Sequence, residues 1–195
     1  MTIPSVSRGF TTAWATLAAA SLALVCFFLP GVGVNLLYER AAMLRGEWWR
    51  LGTGHWVHFS GSHLFWNLAV LVPAGIWAER LNPARLRLLL LVVPWVIGVA
   101  LLVFDPALET YGGLSGLAAA VLAFLALTQL AAGKDSPWFW RAVLVFLALK
   151  ICAEFLAERP LFARFYSPDI HAVPLAHLIG VAGAVGARFL GRKAR

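Results

Sequence analysis

The sequence contains few charged residues and few cysteines. Only 13% of its 195 residues are Asp, Glu, Lys or Arg, whereas 61% are hydrophobic, and the mean hydropathy is +0.80. This balance excludes an ordinary soluble domain. The two cysteines, Cys26 and Cys152, fall within apolar runs and offer no disulfide framework. Because no repeat, low-complexity tract or linker divides the chain, we expect one domain over residues 1–195.

Six apolar stretches approach the roughly 20 residues that a helix needs to cross the hydrocarbon core. They cover about 12–30, 63–78, 86–104, 113–132, 138–156 and 171–190, and only the connections 31–62 and 157–170 are long. The sequence therefore predicts an all-α integral membrane protein, a bundle of six transmembrane helices. Residues 1–30 also resemble a signal peptide, with Arg8 before the apolar run. They lack a small-x-small cleavage site, so we favour a first membrane helix.

The basic residues predict the orientation of this bundle. With six helices both termini share one side, and that side carries ten Lys or Arg residues: Arg8, Arg80, Arg85, Arg87, Lys134, Arg141, Arg188, Arg192, Lys193 and Arg195. The other side carries six, namely Arg40, Arg45, Arg50, Lys150, Arg159 and Arg164. The positive-inside rule therefore places both termini in the cytoplasm of a bacterial inner membrane. The pI near 10.3 is explained mostly by these basic residues, which serve as an orientation signal. The sequence shows no basic-aromatic groove that would indicate nucleic-acid binding.

Polar residues lie near the start of the second, fourth and sixth apolar stretches. They are His63 and Asn67, Ser115, and His177 about two turns into its helix. These three helices all enter from the outer face, so the polar side chains reach a similar depth on one side. Because polar groups in a bilayer usually face a bundle interior or a water-filled cavity, we expect a cavity that opens outward, to the periplasm.

Small residues near the same positions also have a packing interpretation. Gly113 and Gly116 flank the serine, and Gly180 follows the histidine by three residues. Small residues at four-residue spacing let membrane helices approach closely. Close contact between the fourth and sixth helices is also what would bring Ser115 within hydrogen-bonding reach of His177.

A serine hydroxyl becomes a useful nucleophile when a neutral imidazole accepts its proton. We expect Ser115 and His177 to act as such a pair. The sequence offers no good carboxylate as a third member, since Asp169 falls in a loop and Glu154 near a helix end. A serine–histidine dyad is therefore favoured.

Histidines elsewhere in the sequence raise the possibility of a zinc site. His55, His58 and His63 are close in sequence, but no HExxH motif or cluster of carboxylates accompanies them. We therefore expect neither a metal nor a cofactor. His58 is instead expected to hydrogen-bond within the first long loop and to position the second helix.

Four motifs occur in order along the chain: Trp49-Arg50, His58-x4-His63-x3-Asn67, Gly113-Leu114-Ser115-Gly116 and Ala176-His177-x2-Gly180. Together they resemble the ordered signature of rhomboid intramembrane serine proteases, over nearly the whole chain. The resemblance implies Ser115 as nucleophile and His177 as general base. It also implies an oxyanion site formed by His63, Asn67 and the main chain of Leu114 and Ser115, with Trp49 and Arg50 structuring the first loop.

The run Gly46-Glu47-Trp48-Trp49-Arg50 and the leucine of Gly-Leu-Ser-Gly resemble the rhombosortase branch of bacterial rhomboids. That branch implies clients with a C-terminal Gly-Gly motif (GlyGly-CTERM), one membrane helix and a basic tail. Two other classes of function stay open. A rhomboid-like protein without activity would bind membrane clients, and a small-solute transporter would need a polar path to both faces.

Overall fold

Each of the six apolar stretches contains a long helix in the computed structural model, which describes residues 13–133, 136–157, 159–165 and 170–189. In chain order the elements are α1 (Trp14–Phe28), α2 (Pro30–Leu36), β1 (Tyr38–Glu39), α3 (Arg40–Leu44), α4 (Arg50–Thr53), a 3-10 turn (Gly54–Trp56), α5 (Gly61–Leu81), α6 (Pro83–Phe104), β2 (Thr110–Tyr111), α7 (Ser115–Ala132), α8 (Pro137–Ala157) and α9 (Pro174–Phe189). Several residues used in the sequence predictions lie outside the described ranges: Arg8, Lys134, Asp169, Arg192, Lys193 and Arg195.

The first residues of three helices differ from the sequence prediction for local reasons. Helix α9 begins at Pro174 rather than 171, because proline suits the first helical turn and disfavours helix in the residue before it. Helix α7 begins at Ser115 because Gly113 has φ +125°, outside the helical region. Helix α5 begins at Gly61, where the Ser60 side chain caps it by accepting the N–H of His63 at 3.0 Å. His63, Ser115 and His177 therefore all lie in first turns, and His177 is not two turns deep.

The long first connection is ordered by short elements rather than by a simple loop. Its strand β1 pairs antiparallel with β2, with Tyr38 opposite Tyr111 and Glu39 opposite Thr110. This ladder attaches the connection to the segment that leads into α7. A two-stranded pairing is weak by itself, so its position depends on the helices around it.

Hydrogen bonds from the buried Arg50 side chain stabilise the same connection. The guanidinium donates from Nε to Glu47 Oε2 at 2.8 Å, and from Nη1 to the carbonyls of Val34 at 2.9 Å and Leu37 at 2.8 Å. The neighbouring Trp49 donates its indole N–H to a further carbonyl of the connection at 3.1 Å. Arg50 thus satisfies carbonyl groups near the end of α2 that have no intrahelical partner.

Helix α7 lies at the centre and packs against α5, α6, α8 and α9. Its contact with α9 is made by small residues. A side-chain carbon on Gly116 would lie only 2.8 Å from the Ala176 carbonyl oxygen, and one on Gly180 would collide with the Gly116 carbonyl. The two backbones therefore touch one residue away from Ser115 and from His177.

The lengths and composition of the helices identify a membrane protein. Among the described residues, α6 and α7 are long and apolar enough to cross a bilayer. A third span results if residues Arg50–Trp56 and helix α5, which meet at 95°, are counted together. Helices α1 and α9 are apolar but shorter, with 15 and 16 residues.

Candidate active site

A cavity of about 700 Å³ lies where the first turns of α5, α7 and α9 meet. The sequence-predicted residues His63, Asn67, Ser115 and His177 all line it. They come from three helices that are far apart in the chain. The fold thus brings together, around one space, the polar side chains that the sequence placed at similar depth.

Ser115 is the first residue of α7, at the end of the Gly-Leu-Ser-Gly loop. The first N–H groups of a helix have no intrahelical acceptor, so main-chain donors are available beside this hydroxyl. The phenol of Tyr111, which lines the same cavity, donates to the Gly113 carbonyl at 3.1 Å. Burial raises the pKa of Tyr111, and its interaction with the nearby Ser115 hydroxyl opposes this rise. Tyr111 is therefore a neutral neighbour of the serine.

His177 is 4% exposed and presents its two ring nitrogens to different groups. Its Nε2 atom has no hydrogen-bond partner within the described part of the chain, so the expected bond from Ser115 is not formed in this structure. Its Nδ1 atom lies 3.0 Å from Glu154 Oε2. The expectation that no carboxylate accompanies the histidine is thus wrong. Glu154 lies near the end of α8, as expected, but faces α9 and is 2% exposed.

His63 and Asn67 lie one turn apart on α5 and face the loop before α7. A side chain at Gly113 would collide with the imidazole of His63 and approach Asn67 Nδ2 to 3.6 Å, so a glycine is required there for space as well as for its positive φ. His63 Nδ1 and Asn67 Nδ2 are buried without a hydrogen-bond partner in the described residues. Buried polar atoms normally have partners, and the two residues that carry these atoms line the same cavity as Ser115.

His58 connects the first connection to the Gly-Leu-Ser-Gly loop. Its Nδ1 lies 3.1 Å from the Trp56 carbonyl, and its Nε2 accepts the N–H of Leu114 at 3.3 Å. The Leu114 N–H, which the family resemblance implies for the oxyanion, is therefore already engaged. Burial lowers the pKa of His58 to about 4, so the imidazole stays neutral and keeps Nε2 as an acceptor.

His55 is buried beneath the site and also has a structural contact. Its Nε2 lies 2.9 Å from the Pro94 carbonyl, and its Nδ1 lies 3.4 Å from the Tyr111 hydroxyl. Burial lowers its pKa to about 4. Residues 13–133, 136–157, 159–165 and 170–189 contain no group of three His, Cys, Asp or Glu side chains placed to hold a metal ion.

The segment 159–165 borders the same cavity. The Ser60 hydroxyl donates to the Arg164 carbonyl at 2.6 Å, and the Arg164 N–H donates to Ser62 Oγ at 3.2 Å. Phe165 contacts the His63 ring edge to face, with centroids 5.1 Å apart. These contacts fix the segment to the start of α5, beside the candidate oxyanion side chains.

Sequence reasoning gave no role at the site to three of its polar residues, namely Tyr111, Lys150 and Glu154, although Glu154 was considered and set aside. Tyr111 carried no signal, because its position depends on the β1–β2 pairing. Lys150 and Glu154 did carry a sequence signal, because they are four residues apart in an apolar helix and hence lie on one face. Ionisable residues in such helices usually mark functional sites.

The comparisons with known proteins identify the family. A search of curated proteins finds no match to the chain. A family model described as the Rhomboid domain matches residues 45–194, which include α5 to α9 and every residue of the site described above. This match covers more than three quarters of the sequence and agrees with the helical, membrane-type fold. The chain therefore belongs to the rhomboid family of membrane proteins.

Proposed function

We propose that this protein is an intramembrane serine endopeptidase that uses Ser115 as nucleophile and His177 as general base. The observation that carries the proposal is the shared cavity, which is lined by Ser115 at a helix start and by His63, Asn67 and His177. Within the described residues, His177 Nε2, His63 Nδ1 and Asn67 Nδ2 are buried and have no hydrogen-bond partner. Family membership alone leaves a catalytically silent client-binding protein as an alternative, because rhomboid-like proteins can be inactive. A silent protein would have no need to keep these groups together.

The chemistry follows from the atoms available. In the first step His177 Nε2 accepts the Ser115 proton while Oγ attacks the substrate carbonyl carbon, which forms a tetrahedral oxyanion. The carbon–nitrogen bond then breaks, and the imidazolium returns its proton to the leaving amine, which leaves an ester on Ser115. Water then attacks the ester carbonyl while His177 Nε2 accepts its proton, and the imidazolium returns that proton to Ser115 Oγ as the acid product leaves. For the first step the Ser115 hydroxyl must turn toward His177 Nε2, and catalytic hydrogen bonds often tighten only once substrate is bound.

The oxyanion requires donors that are free before the reaction begins. Asn67 Nδ2 and His63 Nδ1 are buried and have no partner among the residues that the structure describes, so donating to an oxyanion would break no bond seen there. The Ser115 N–H, in the first turn of α7, is the main-chain donor that we assign. We leave Leu114 out of this set, because its N–H donates to His58.

The membrane setting extends the same proposal. We propose that all six long helices cross a bacterial inner membrane with both termini in the cytoplasm, so that the cavity faces the periplasm. The arrangement of the site supports this orientation, since α5, α7 and α9 all begin at the cavity. Substrates would be cut near the outer surface, where water reaches the ester.

The substrate class that we propose is a protein with a C-terminal Gly-Gly motif, one membrane helix and a basic tail, as in the rhombosortase branch. Glycines weaken helical structure by about 1 kcal/mol each relative to alanine, so a Gly-Gly segment unwinds readily. An unwound segment exposes its carbonyl to Ser115, whereas an intact helix keeps its carbonyls hydrogen-bonded.

A reconstituted cleavage assay tests both levels of this proposal. The parent protein in lipid vesicles is given two client peptides that differ only by Gly-Gly or Ala-Ala before the membrane helix, and products are identified by mass spectrometry. We expect cleavage of the Gly-Gly peptide and none by Ser115→Ala. Cleavage of both peptides at equal rates would refute the substrate class but not the protease. Binding without cleavage by the parent would favour the silent client-binding alternative.

A further inference from the structure

A buried ion pair on α8 lies directly behind the histidine. Lys150 Nζ is 2.7 Å from Glu154 Oε2, and both side chains are largely withdrawn from solvent, with exposures of 17% and 3%. The rest of α8 is mostly apolar, and ionisable groups in such a helix are costly unless they serve a purpose. A pair whose only role was to bind α8 to the bundle would be replaceable by apolar packing.

The distances decide which partner His177 Nδ1 uses. Glu154 Oε2 lies 3.0 Å from Nδ1, and Lys150 Nζ lies 3.3 Å from it. A carboxylate only accepts, so a hydrogen bond to it requires the proton on Nδ1. An ammonium only donates, so a hydrogen bond from it would require the proton on Nε2. The carboxylate is the closer group, and the ammonium is already bonded to that same oxygen at 2.7 Å.

We infer that Glu154 is a positioning residue that holds His177 in the Nδ1-protonated tautomer, with Lys150 balancing the carboxylate charge. The inference rests on the proposed function. In this tautomer the Nε2 lone pair is the free one, and Nε2 is the buried atom that has no partner in the described part of the molecule. The unshared Nε2 is what a base for Ser115 needs. Glu154 therefore completes a serine–histidine–carboxylate arrangement in which α7, α9 and α8 each supply one member.

The second oxygen of the carboxylate extends this arrangement to the cavity border. Glu154 Oε1 accepts the N–H of Leu161 at 3.4 Å, in the segment that borders the cavity. One carboxylate thus contacts the histidine, the lysine and the bordering segment. Contacts at both carboxylate oxygens fix the orientation of Glu154, which suits a residue that must keep an imidazole ring at a constant angle.

The test compares Glu154→Gln with Glu39→Gln. Glu39 lies on β1, is partly exposed and is not among the residues that line the cavity, so its variant makes the same change of charge away from the site. In Glu154→Gln the lysine is expected to bind the amide oxygen, which turns the amide NH₂ toward Nδ1 and imposes the wrong tautomer. The rate of Ser115 labelling by a fluorophosphonate should then fall by about 10²–10⁴. Glu39→Gln should label at the parent rate, with both variants inserted and similar in melting temperature.

Nitrogen-15 NMR of histidine-labelled parent protein provides a second readout that needs no activity. The His177 signals, assigned by their loss in His177→Ala, should show the proton on Nδ1 in the parent and on Nε2 in Glu154→Gln. Equal labelling rates of the parent and Glu154→Gln, or a parent protonated on Nε2, would overturn the inference while leaving the protease proposal in place. A folded parent protonated on Nδ1 that never labels at Ser115 would instead overturn the proposed function. If Glu154→Gln does not fold, the parent spectrum still decides the tautomer.

Discussion

The contact between α7 and α9 fixes the distance between Ser115 and His177. We therefore predict graded losses of activity when glycines on α9 are replaced by alanine. Replacing Gly180 with alanine adds one carbon that collides with the backbone carbonyl of Gly116. Backbone atoms cannot rotate away as a side chain would, so the helices must separate at this point. Since Gly116 follows Ser115, and Gly180 lies one turn after His177, the separation also moves the two reacting groups apart.

The size of the effect follows from the contact distances. Ordinary contacts of a Cβ atom begin at 3.4 Å, and the new carbon would lie far closer than 3.0 Å to the oxygen. Relieving this requires a shift of about 1 Å, and misplacement by that amount costs roughly 10²-fold in rate. The free energy of unfolding should fall by only about 1–3 kcal/mol, as is usual for overpacking. Gly180→Ala should therefore lose most of its activity while it still folds.

Two further glycines on the same helix calibrate the measurement. A carbon on Gly183 would lie 2.8 Å from Val93 Cγ2, a side-chain atom that can move, so Gly183→Ala should lose less activity. A carbon on Gly186 meets nothing within 4 Å, so Gly186→Ala should match the parent. The assay measures kcat for a Gly-Gly client peptide together with the melting temperature in detergent. Full activity in Gly180→Ala, or equal losses in all three variants, would refute the assigned contact.

Three other predictions concern residues around the site. Asn67→Ala should lower kcat by about 10²–10³ with little change in melting temperature, because Nδ2 has no partner among the described residues to lose. A large loss of stability instead would make Asn67 structural. Arg50→Ala should lower the free energy of unfolding by about 2–5 kcal/mol, since it removes three hydrogen bonds of a buried cation, and loss of activity at unchanged melting temperature would contradict a structural role. His58 has a folded pKa of about 4, below the usual 6.5, so the unfolded chain binds a proton that the folded protein excludes. The stability that neutral His58 contributes is thus complete above about pH 6.5 and is lost as the pH falls toward 4. When the pH is lowered from 7.5 to 4.5, the melting temperature should therefore fall less steeply in His58→Gln than in the parent.

The helical framework could be predicted from the sequence because it depends on long apolar runs. All six predicted stretches contain a helix, and the limits differ by a few residues where capping decides them, as at Ser60 and Pro174. The grouping of His63, Ser115 and His177 in one cavity was also predictable, because helix direction alternates in a membrane bundle. The count of six membrane spans, by contrast, remains a prediction, because only α6, α7 and α5 with the residues before it are long and apolar enough among the described residues.

The missing parts of the prediction depend on tertiary contacts that leave little trace in local sequence. The short elements of the first connection show no helical or strand period, and they are held by the buried Arg50 and the β1–β2 pairing. Glu154 was set aside because it falls near a helix end, and only the rotation of α8 against α9 brings it to His177. The engagement of the Leu114 N–H by His58 likewise needed the folded position of the first connection.

The most direct test of the central claim is covalent labelling of the nucleophile. The parent, His177→Ala and Ser115→Ala proteins are treated with a fluorophosphonate in lipid vesicles, and the adduct is located by peptide mass spectrometry. The account predicts one adduct, on Ser115, in the parent, a strongly reduced rate in His177→Ala and no adduct in Ser115→Ala. Undiminished labelling of Ser115→Ala, or of His177→Ala, would contradict the assignment of Ser115 as a nucleophile activated by His177.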